Sequence, residues 1–325
     1  MHIEDFKINF NRDFKVNSEY KKCLCGSSLG KKLFRYDRYL LKISIVACKN
    51  CGLIFCNPML KKSFIENFYR SDFYRILYND LSLDEIKEDI FVGESEENSF
   101  NAHALLKKYL LNANNLNILE VGCGNSANLI HFRKTNQLFA TDFSNESKKN
   151  ALRMGISFKQ GGVDQIKKFN IKKFDIVILS HVIEHFIDFD NSILEIKKFT
   201  DENTLFYIEV PSMDLKYNLD QIQIAHNYYF TNNTFLFHLK RLGLISLEQG
   251  EVNIINQYGI FKNAKTSPYT KNIDEYKRII KVHRSFCYNF YWGYLLNLYL
   301  RKFIKKLIGK TITTFIRNIL EKSRK

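Results

Sequence analysis

The sequence predicts an α/β protein built on a doubly wound, mostly parallel sheet of seven strands. Strand-like apolar runs alternate with helical patterns from about residue 116 to residue 265, which is typical of right-handed βαβ units. The run 174–180 is apolar at nearly every position after Asp175, as expected for a strand covered on both faces. A Gly-x-Gly turn at Gly122 and Gly124 follows the apolar run at 117–121, where the chain must bend sharply.

Each element is placed from its pattern of apolar residues. We expect strands of the sheet at residues 117–121, 138–142, from 158 onward, 174–180 and 204–210. A helix over 231–242 precedes two further strands, at 244–249 and 253–261, which suit an antiparallel pair at the sheet edge.

Composition divides the chain into four segments. We predict a cysteine-knuckle module at 1–65, a helical linker or lid at 66–115, the α/β domain at 116–265 and a basic, aromatic-rich helical tail at 266–325. The positive charge is concentrated in the tail, because 277–325 holds 13 of the 49 basic residues and one of the 34 acidic residues. This stretch therefore carries +12 of the net charge of +15, and the rest of the chain is nearly neutral.

Composition also predicts a cytoplasmic location. The N-terminus has no apolar run behind a basic start, and no uncharged apolar run reaches the ~18 residues that span a bilayer. Seven cysteines, several in metal-like spacing, favour a reducing compartment. The aromatic-rich segment 285–300 lies beside basic side chains. This combination suits an anionic membrane surface, and it suits an acidic partner about equally well. We do not expect a nucleic-acid partner, since no RNA-binding module is recognisable.

The first 65 residues contain two cysteine pairs, each ahead of a glycine. Cys23 and Cys25 form a C-x-C pair, and Cys48 and Cys51 form the common C-x₂-C pair. Four thiolates in such pairs predict a tetrahedral structural Zn²⁺ site, which leaves no open position for chemistry. The alternative is a set of buried free cysteines that pack as small hydrophobic residues, and Cys56 is a substitute ligand for Cys23.

Two carboxylates accompany the glycine turn. Glu120 precedes it, and Asp142 ends the next apolar run, about 20 residues farther on. An α/β fold holds a ribose diol with a carboxylate at this spacing. The pattern predicts a nucleotide-containing ligand. A dinucleotide-binding domain is one alternative, although it would prefer a glycine at Ala127.

Four motifs in this order resemble the class I S-adenosylmethionine (SAM)-dependent methyltransferases, over about 116–262. They are Glu120-Val-Gly-Cys-Gly, Asp142-Phe-Ser, Ser180-His-Val-Ile-Glu-His and His226-Asn-Tyr-Tyr-Phe-Thr. The resemblance implies a Rossmann-like fold with SAM as cofactor. It implies these cofactor-binding residues: Glu120, Gly122, Gly124, Asp142, Phe143, Val163, Asp164 and Ser180. Asp142 would accept from the ribose hydroxyls, and Asp164 would replace the acidic residue that the family often carries at Gly162.

The stretch from Cys51 to Pro58 narrows the resemblance. A cysteine knuckle, an apolar strand and Asn-Pro ahead of such a domain resemble the zinc-containing subgroup that acts on sugars and nucleotide sugars. This implies a sugar, nucleotide-sugar or surface-glycan acceptor, with His226 as first candidate base. The glutamate that carbon-methylating members often carry before this histidine is Ala225. His181 is the second candidate base.

Other functions remain open at this stage. His181-Val-Ile-Glu-His185 satisfies the His-x-x-Glu-His pattern of some zinc peptidases, although that pattern belongs inside a long helix. If the protein is not a peptidase, Glu184 and His185 are expected to be structural residues. Methylation of RNA or of another small molecule, and SAM binding without catalysis, are further alternatives. The acceptor atom (O, N or C) and the oligomeric state are not determined by these patterns.

Overall fold

The computed structural model describes residues 3–69, 71, 96–110, 114–265 and 273–289. The chain divides into two compact units, Met1–Lys277 and Arg278–Lys325. In the second unit only residues 278–289 are described, and they are helical. Most of the predicted tail and much of the predicted 66–115 segment therefore lie outside the described residues.

The first unit begins with elements that precede the α/β domain. They are helix α1 (Ile3–Asp13), strands β1 (Ser18–Glu19), β2 (Gly30–Tyr36), β3 (Lys42–Cys48), β4 (Ile54–Cys56) and β5 (Met59–Leu60), and helices α2 (Lys62–Tyr69) and α3 (Glu96–Leu110). Within the predicted 66–115 segment, the structure describes helix at the end of α2 and in α3.

The α/β domain follows. Its strands are β6 (Asn117–Val121), β7 (Gln137–Asp142), β8 (Ser157–Gln160), β9 (Ile176–Ser180), β10 (Leu205–Pro211), β11 (Tyr228–Tyr229), β12 (Leu244–Glu251) and β13 (Asn256–Asn263). Its α-helices are α4 (Asn145–Arg153), α5 (Phe189–Lys197) and α6 (Asn232–Arg241). Helix α7 spans 273–289.

Seven strands form the main sheet, in the order β12-β13-β10-β9-β6-β7-β8. The five strands from β10 to β8 are parallel, whereas β13 runs antiparallel to β10 and to β12. The predicted fold class and the predicted antiparallel edge pair are confirmed. Because β6, β7, β9 and β10 are parallel neighbours, their carboxyl ends meet at one edge of the sheet, where open α/β sheets bind ligands.

Local sequence explains where the helices begin. Thr231 caps α6 and forms a reciprocal capping box with Thr234, and the Ser144 side chain accepts from Ser147 N to cap α4. On one face of the sheet, Leu106 of α3 packs in the same buried cluster as Ile118 of β6. Burial of apolar side chains on the sheet thus holds the helices in place.

A second sheet joins two distant parts of the sequence. It has four strands in the order β11-β4-β3-β2. Strand β11 belongs to the α/β domain, yet Tyr228 and Tyr229 pair antiparallel with Phe55 and Ile54 of β4. The sequence did not predict a strand here. Two residues are too short for a recognisable alternation pattern, so only the partner strand defines β11.

None of the helices in the described ranges has the length and apolar character needed to cross a membrane.

Candidate functional site

The glycine turn at the end of β6 adopts the conformation for which glycine is suited. Gly122 has φ +70° and Gly124 has φ +50°. A Cβ on Gly122 would lie 2.8 Å from Cγ2 of Val182. Gly122 N donates to Thr141 O at 2.8 Å, and Gly124 N donates to Oδ2 of Asp142 at 3.0 Å. The turn is therefore tied to the end of the neighbouring strand β7.

Asp142 and Phe143 form the adjacent wall of the site. Oδ1 of Asp142 accepts from Ser144 N at 2.8 Å. Burial raises the pKa of Asp142 above its ordinary value, although the backbone N–H groups of Ser144 and Gly124 oppose the rise. A Cβ on Gly162 would lie 3.2 Å from Cζ of Phe143, so glycine allows this close approach.

Glu120 precedes the turn, and only one of its carboxylate oxygens is hydrogen-bonded. Its side chain is buried, and Oε1 accepts from Asn128 Nδ2 at 2.7 Å. Oε2 has no hydrogen-bond partner among the described residues. Burial raises the pKa of Glu120 to about 8. A cationic group such as the ammonium of a methionyl chain would supply the missing partner and favour the ionised carboxylate.

These residues border a cleft of about 1190 Å³. Six of the predicted cofactor-binding residues line it: Gly122, Gly124, Asp142, Phe143, Val163 and Asp164. His181 lines it too, whereas Glu120, Ser180 and His226 do not. The cleft is large enough for a nucleoside cofactor together with part of an acceptor, since ligand sites typically enclose about 300–1,000 Å³.

His181 lies between two carboxylates at the end of β9. Nδ1 is 3.6 Å from Glu184 Oε1 and Nε2 is 3.2 Å from Glu209 Oε1. Burial alone would lower the pKa of His181, but these two carboxylates raise it to about 10. The imidazole is therefore protonated near neutral pH, a state that cannot accept a proton from a substrate. His181 also has φ +53°, a strained backbone conformation outside glycine.

His226 is buried behind the cleft. Its side chain contacts the amide of Gln223, and its ring lies edge-on to His185 with centroids 4.8 Å apart. Burial lowers the pKa of His226 well below its ordinary value, and positive charge at His185 would lower it further. His226 is thus neutral, as a base must be, but it reaches the cleft only through its neighbour.

That neighbour, His185, lines the cleft. Nδ1 lies 2.7 Å from Ala225 O, which can only accept, so Nδ1 carries the proton and Nε2 is the basic nitrogen. The Tyr69 hydroxyl is also 2.7 Å from Nδ1. Sequence reasoning treated His185 as scaffold and did not select Tyr69, because the contacts that bring them together join α2, the end of β9 and the segment before β11.

Glu184 completes this group. Its side chain is 1% exposed, and neither oxygen has a hydrogen-bond partner among the described residues. Potential ligand atoms of Glu184, His185 and His226 lie within 4.8 Å of one another. The residues of the His-x-x-Glu-His pattern occupy a strand end and the short 3₁₀ turn Ile183–His185. They do not occupy the long helix that the zinc-peptidase pattern requires.

The four predicted metal ligands form a second cluster. The Sγ atoms of Cys23, Cys25, Cys48 and Cys51 lie within 4.8 Å of one another. Two of the separations, Cys23–Cys51 and Cys25–Cys48, are 3.5 Å. Sulfur atoms around a tetrahedral Zn²⁺ are about 3.8 Å apart, which follows from Zn–S bonds of about 2.3 Å. The donor set and its spacing therefore fit zinc.

Residues around the cysteines support this fit. The glycines after the two pairs, Gly26 and Gly52, have φ of +82° and +81°. Asn50 N donates to Cys48 Sγ at 3.4 Å. Nε2 of His238, from α6, lies 3.6 Å from Cys51 Sγ, a contact that the sequence did not reveal. Cys56, the substitute ligand, lies elsewhere and donates to His226 O at 3.1 Å.

Comparisons with known proteins give one family match and several similar folds. Residues 95–248 match the family model described as a methyltransferase domain. A comparison with curated proteins finds no similar sequence.

Among solved structures, the chain is similar to the 1,6-didemethyltoxoflavin-N1-methyltransferase of Burkholderia thailandensis. The identity is 16% and the TM-score 0.49, over 66% of this chain and 96% of that chain. It is also similar to the magnesium protoporphyrin IX methyltransferase of Synechocystis, with 15% identity and a TM-score of 0.45, over 63% of this chain and 100% of that one. The residues that match the methyltransferase-domain model, 95–248, include all five parallel strands of the main sheet.

Proposed function

We propose that this protein transfers a methyl group from SAM to a sugar, a nucleotide sugar or a surface glycan. The observation that carries the proposal is one cleft with two kinds of wall. Gly122, Asp142 and Phe143 line one part, and His185 and Tyr69 line another. Such a cleft can bind a nucleoside cofactor beside an acceptor that must lose a proton.

The cofactor half suits SAM. Asp142 offers a carboxylate to the ribose diol from the wall of the cleft. Glu120 does not line the cleft, but its buried, unpartnered oxygen would favour the positive charge of a methionyl ammonium bound near the turn. Phe143 and Val163 provide apolar surface for the adenine, and Asp164 lies on the same wall. The sulfonium of SAM supplies an already activated methyl group, so the protein chiefly aligns donor and acceptor.

The acceptor half suits deprotonation of a hydroxyl or of an acidic carbon. His185 Nε2 would take the proton of the acceptor, and SAM bound in the other half would supply the methyl group. Ala225 O holds Nδ1–H and thereby selects the tautomer. His226, the base implied by the resemblance, is the neutral neighbour behind His185 and completes the pair. His181 keeps a positive charge between Glu184 and Glu209 and is not the base.

The cysteine cluster is proposed to hold structural Zn²⁺. Four thiolates would fill its coordination sphere, so the ion takes no part in methyl transfer. His238 would donate to the Cys51 thiolate from outside that sphere, a common arrangement around structural metals.

Two measurements test the proposal. Isothermal titration with S-adenosylhomocysteine (SAH) should show binding, and mass spectrometry should show addition of one methyl group to a nucleotide-sugar or glycan acceptor. His185→Asn should reduce kcat by about 100-fold or more, because general-base catalysis typically contributes that much. His226→Asn should also reduce kcat, because it removes the neutral ring that packs edge-on against the base. SAH affinity should stay unchanged in both variants. His283→Asn, in the other compact unit, is the matched control.

Different failures have different meanings. No affinity for SAH would contradict the methyltransferase activity itself. SAH binding together with turnover on RNA or on a small aromatic molecule, but on no sugar, would contradict only the acceptor class. Full activity of both histidine variants would remove the base from this pair.

A further inference from the structure

We propose that Asp37 and Cys56 of the N-terminal segment are positioning residues for the methyl acceptor site. They act through residues 220–227, here called the acceptor loop, which carry His226 into strand β11. The inference rests on the proposed function, because it assumes that the wall lined by His185, with His226 behind it, receives the acceptor. It adds that this wall is assembled by two parts of the chain that are distant in sequence.

Asp37 and its neighbour hold the first half of the loop. Oδ2 of Asp37 accepts from Ile224 N at 3.3 Å. Arg38 N donates to Ile222 O at 3.0 Å, and the Arg38 guanidinium donates to Asp220 O at 3.1 Å. Oδ1 of Asp37 has a separate role, since it accepts from Tyr39 N and Leu41 N in its own turn, each at 2.8 Å. The two oxygens of this carboxylate thus serve different segments.

Cys56 holds the second half. Its backbone N donates to Asn227 O at 2.9 Å, and its Sγ donates to the carbonyl oxygen of His226 at 3.1 Å. The chain then enters β11, which pairs with β4, the strand that ends at Cys56. The backbone is therefore attached to Cys56 at the carbonyl of His226 and again at the carbonyl of the next residue, Asn227.

The opposite side of the loop is attached to the end of β9. Asn227 N donates to Glu184 O at 2.8 Å, and the Asn227 side chain donates to His185 O at 2.8 Å. His185 Nδ1 donates in turn to Ala225 O. The loop consequently lies between the N-terminal segment and the end of β9, with hydrogen bonds to each.

The burial of this loop makes those bonds important. Ile222, Ile224, Ala225 and Asn227 are each at most 1% exposed, and His226 is 5% exposed. Buried backbone groups need hydrogen-bond partners, and this loop has only short stretches of regular structure to supply them. Removing a partner should therefore open the loop locally and displace the imidazole pair.

The cofactor turn depends on other groups. Gly122 and Gly124 are held by Thr141 and by Asp142 of β7. Changes at Asp37 or Cys56 should thus weaken the acceptor site and leave cofactor affinity unchanged. The acceptor site and the cofactor affinity can therefore be measured separately.

The experiment compares matched variants in the full-length protein. Cys56→Ala removes the thiol donor, while Cys56→Ser keeps a donor at the same place. Asp37→Asn can keep its Oδ1 acceptor for Tyr39 and Leu41, but it presents an NH₂ group to Ile224 N. Each variant is measured by hydrogen exchange of the peptide covering 220–229 and by SAH titration.

Cys56→Ala and Asp37→Asn should speed exchange in 222–227 by about tenfold, the amount expected when one buried hydrogen bond is lost. Cys56→Ser should restore slow exchange. SAH affinity should equal that of the wild type in all three, which also verifies that they fold. With an identified acceptor, its KM should rise and the KM of SAM should not.

Two results would overturn the inference. One is unchanged exchange in the acceptor loop for both Cys56→Ala and Asp37→Asn. The other is faster exchange throughout the first unit accompanied by loss of SAH affinity, which would mean general destabilisation. Loss of the proposed function has a separate signature, because a wild-type protein that fails to bind SAH fails before any variant is compared.

Discussion

The two halves of the cleft are built in different ways. The proposed cofactor half comes from short sequence motifs at the ends of adjacent strands, with Gly122 and Gly124 in the turn after one strand and Asp142 at the end of the next. The acceptor half brings together α2, the end of β9, the acceptor loop and the N-terminal segment. The first half can therefore be predicted from a local motif, whereas the second is assembled only in the folded chain.

Burial shifts the pKa of one ionisable side chain near each half of the cleft, an acid in the first and a base in the second. It raises the pKa of Glu120 to about 8, and it lowers the pKa of His226 well below its ordinary value. In each case the neutral form is favoured. His181 is the exception, because two carboxylates keep it charged.

The largest effect should come from the cysteine cluster, which belongs to the N-terminal segment. Cys51→Ser removes a proposed zinc ligand, and structural zinc in small modules contributes about 10 kcal/mol or more to folding. We expect one zinc per wild-type chain, loss of zinc in the variant and a large fall in melting temperature. Metal analysis and thermal unfolding measure this. Cys287→Ser, at an exposed position, is the control. Retention of zinc by the Cys51 variant would contradict the assigned ligand set.

The next effect separates the geometry of the cofactor turn from simple backbone strain. Gly122→Ala and Gly155→Ala both place a Cβ at positive φ, +70° and +75°. Each should lower the free energy of unfolding by about 1 kcal/mol. A Cβ on Gly122 meets Val182, whereas one on Gly155 has nothing within 4 Å. SAH affinity, measured by titration, should therefore fall by at least about tenfold only for Gly122→Ala, because the turn must shift. Equal losses of affinity would assign the effect to strain.

A third prediction uses the protonation of Glu120. Its pKa is about 8 in the fold against an ordinary 4.5, so between these values the folded state holds a proton that the unfolded chain lacks. The stabilisation is complete below about pH 4.5, falls by up to about 1.4 kcal/mol per pH unit as the pH rises, and is gone above about pH 8. Denaturant unfolding of wild type and Glu120→Gln should show this slope only in the wild type. Glu195→Gln, at an exposed site, should behave like the wild type.

Cofactor binding should reverse that protonation. An ammonium group next to Glu120 favours the carboxylate, so SAH binding near pH 7 should release a proton. Titration in two buffers of different ionisation enthalpy measures the release. Its absence in the wild type would place the ammonium elsewhere.

The last prediction concerns the tail, whose residues 290–325 lie outside the described part of the chain. Basic residues near an anionic bilayer contribute about 1 kcal/mol each. Lys305→Gln with Lys306→Gln should therefore weaken binding to phosphatidylserine vesicles by about tenfold or more, with SAH affinity unchanged. Sedimentation with vesicles measures this. Equal binding to neutral vesicles, or no binding, would favour an acidic protein partner.

Much of the α/β domain could be predicted from sequence. Strand β6 was placed at 117–121, as observed, and the predicted edge strands occupy β12 and β13 with small shifts of their ends. These elements have strong apolar periodicity. Strand β11 was not predicted, because its conformation depends on pairing with β4, some 170 residues earlier in the chain.

The sequence by itself determined the parallel sheet, the glycine turn, the carboxylates beside it and the two cysteine pairs. Each is a local pattern set by backbone conformation, strand periodicity or ligand spacing. Only the tertiary structure decided that His185 faces the cleft, that His226 lies behind it, that His181 is charged and that Cys56 faces the His226 carbonyl. Burial and the neighbours of a side chain determine its charge and its reach, and those neighbours come from segments that meet only in the folded chain.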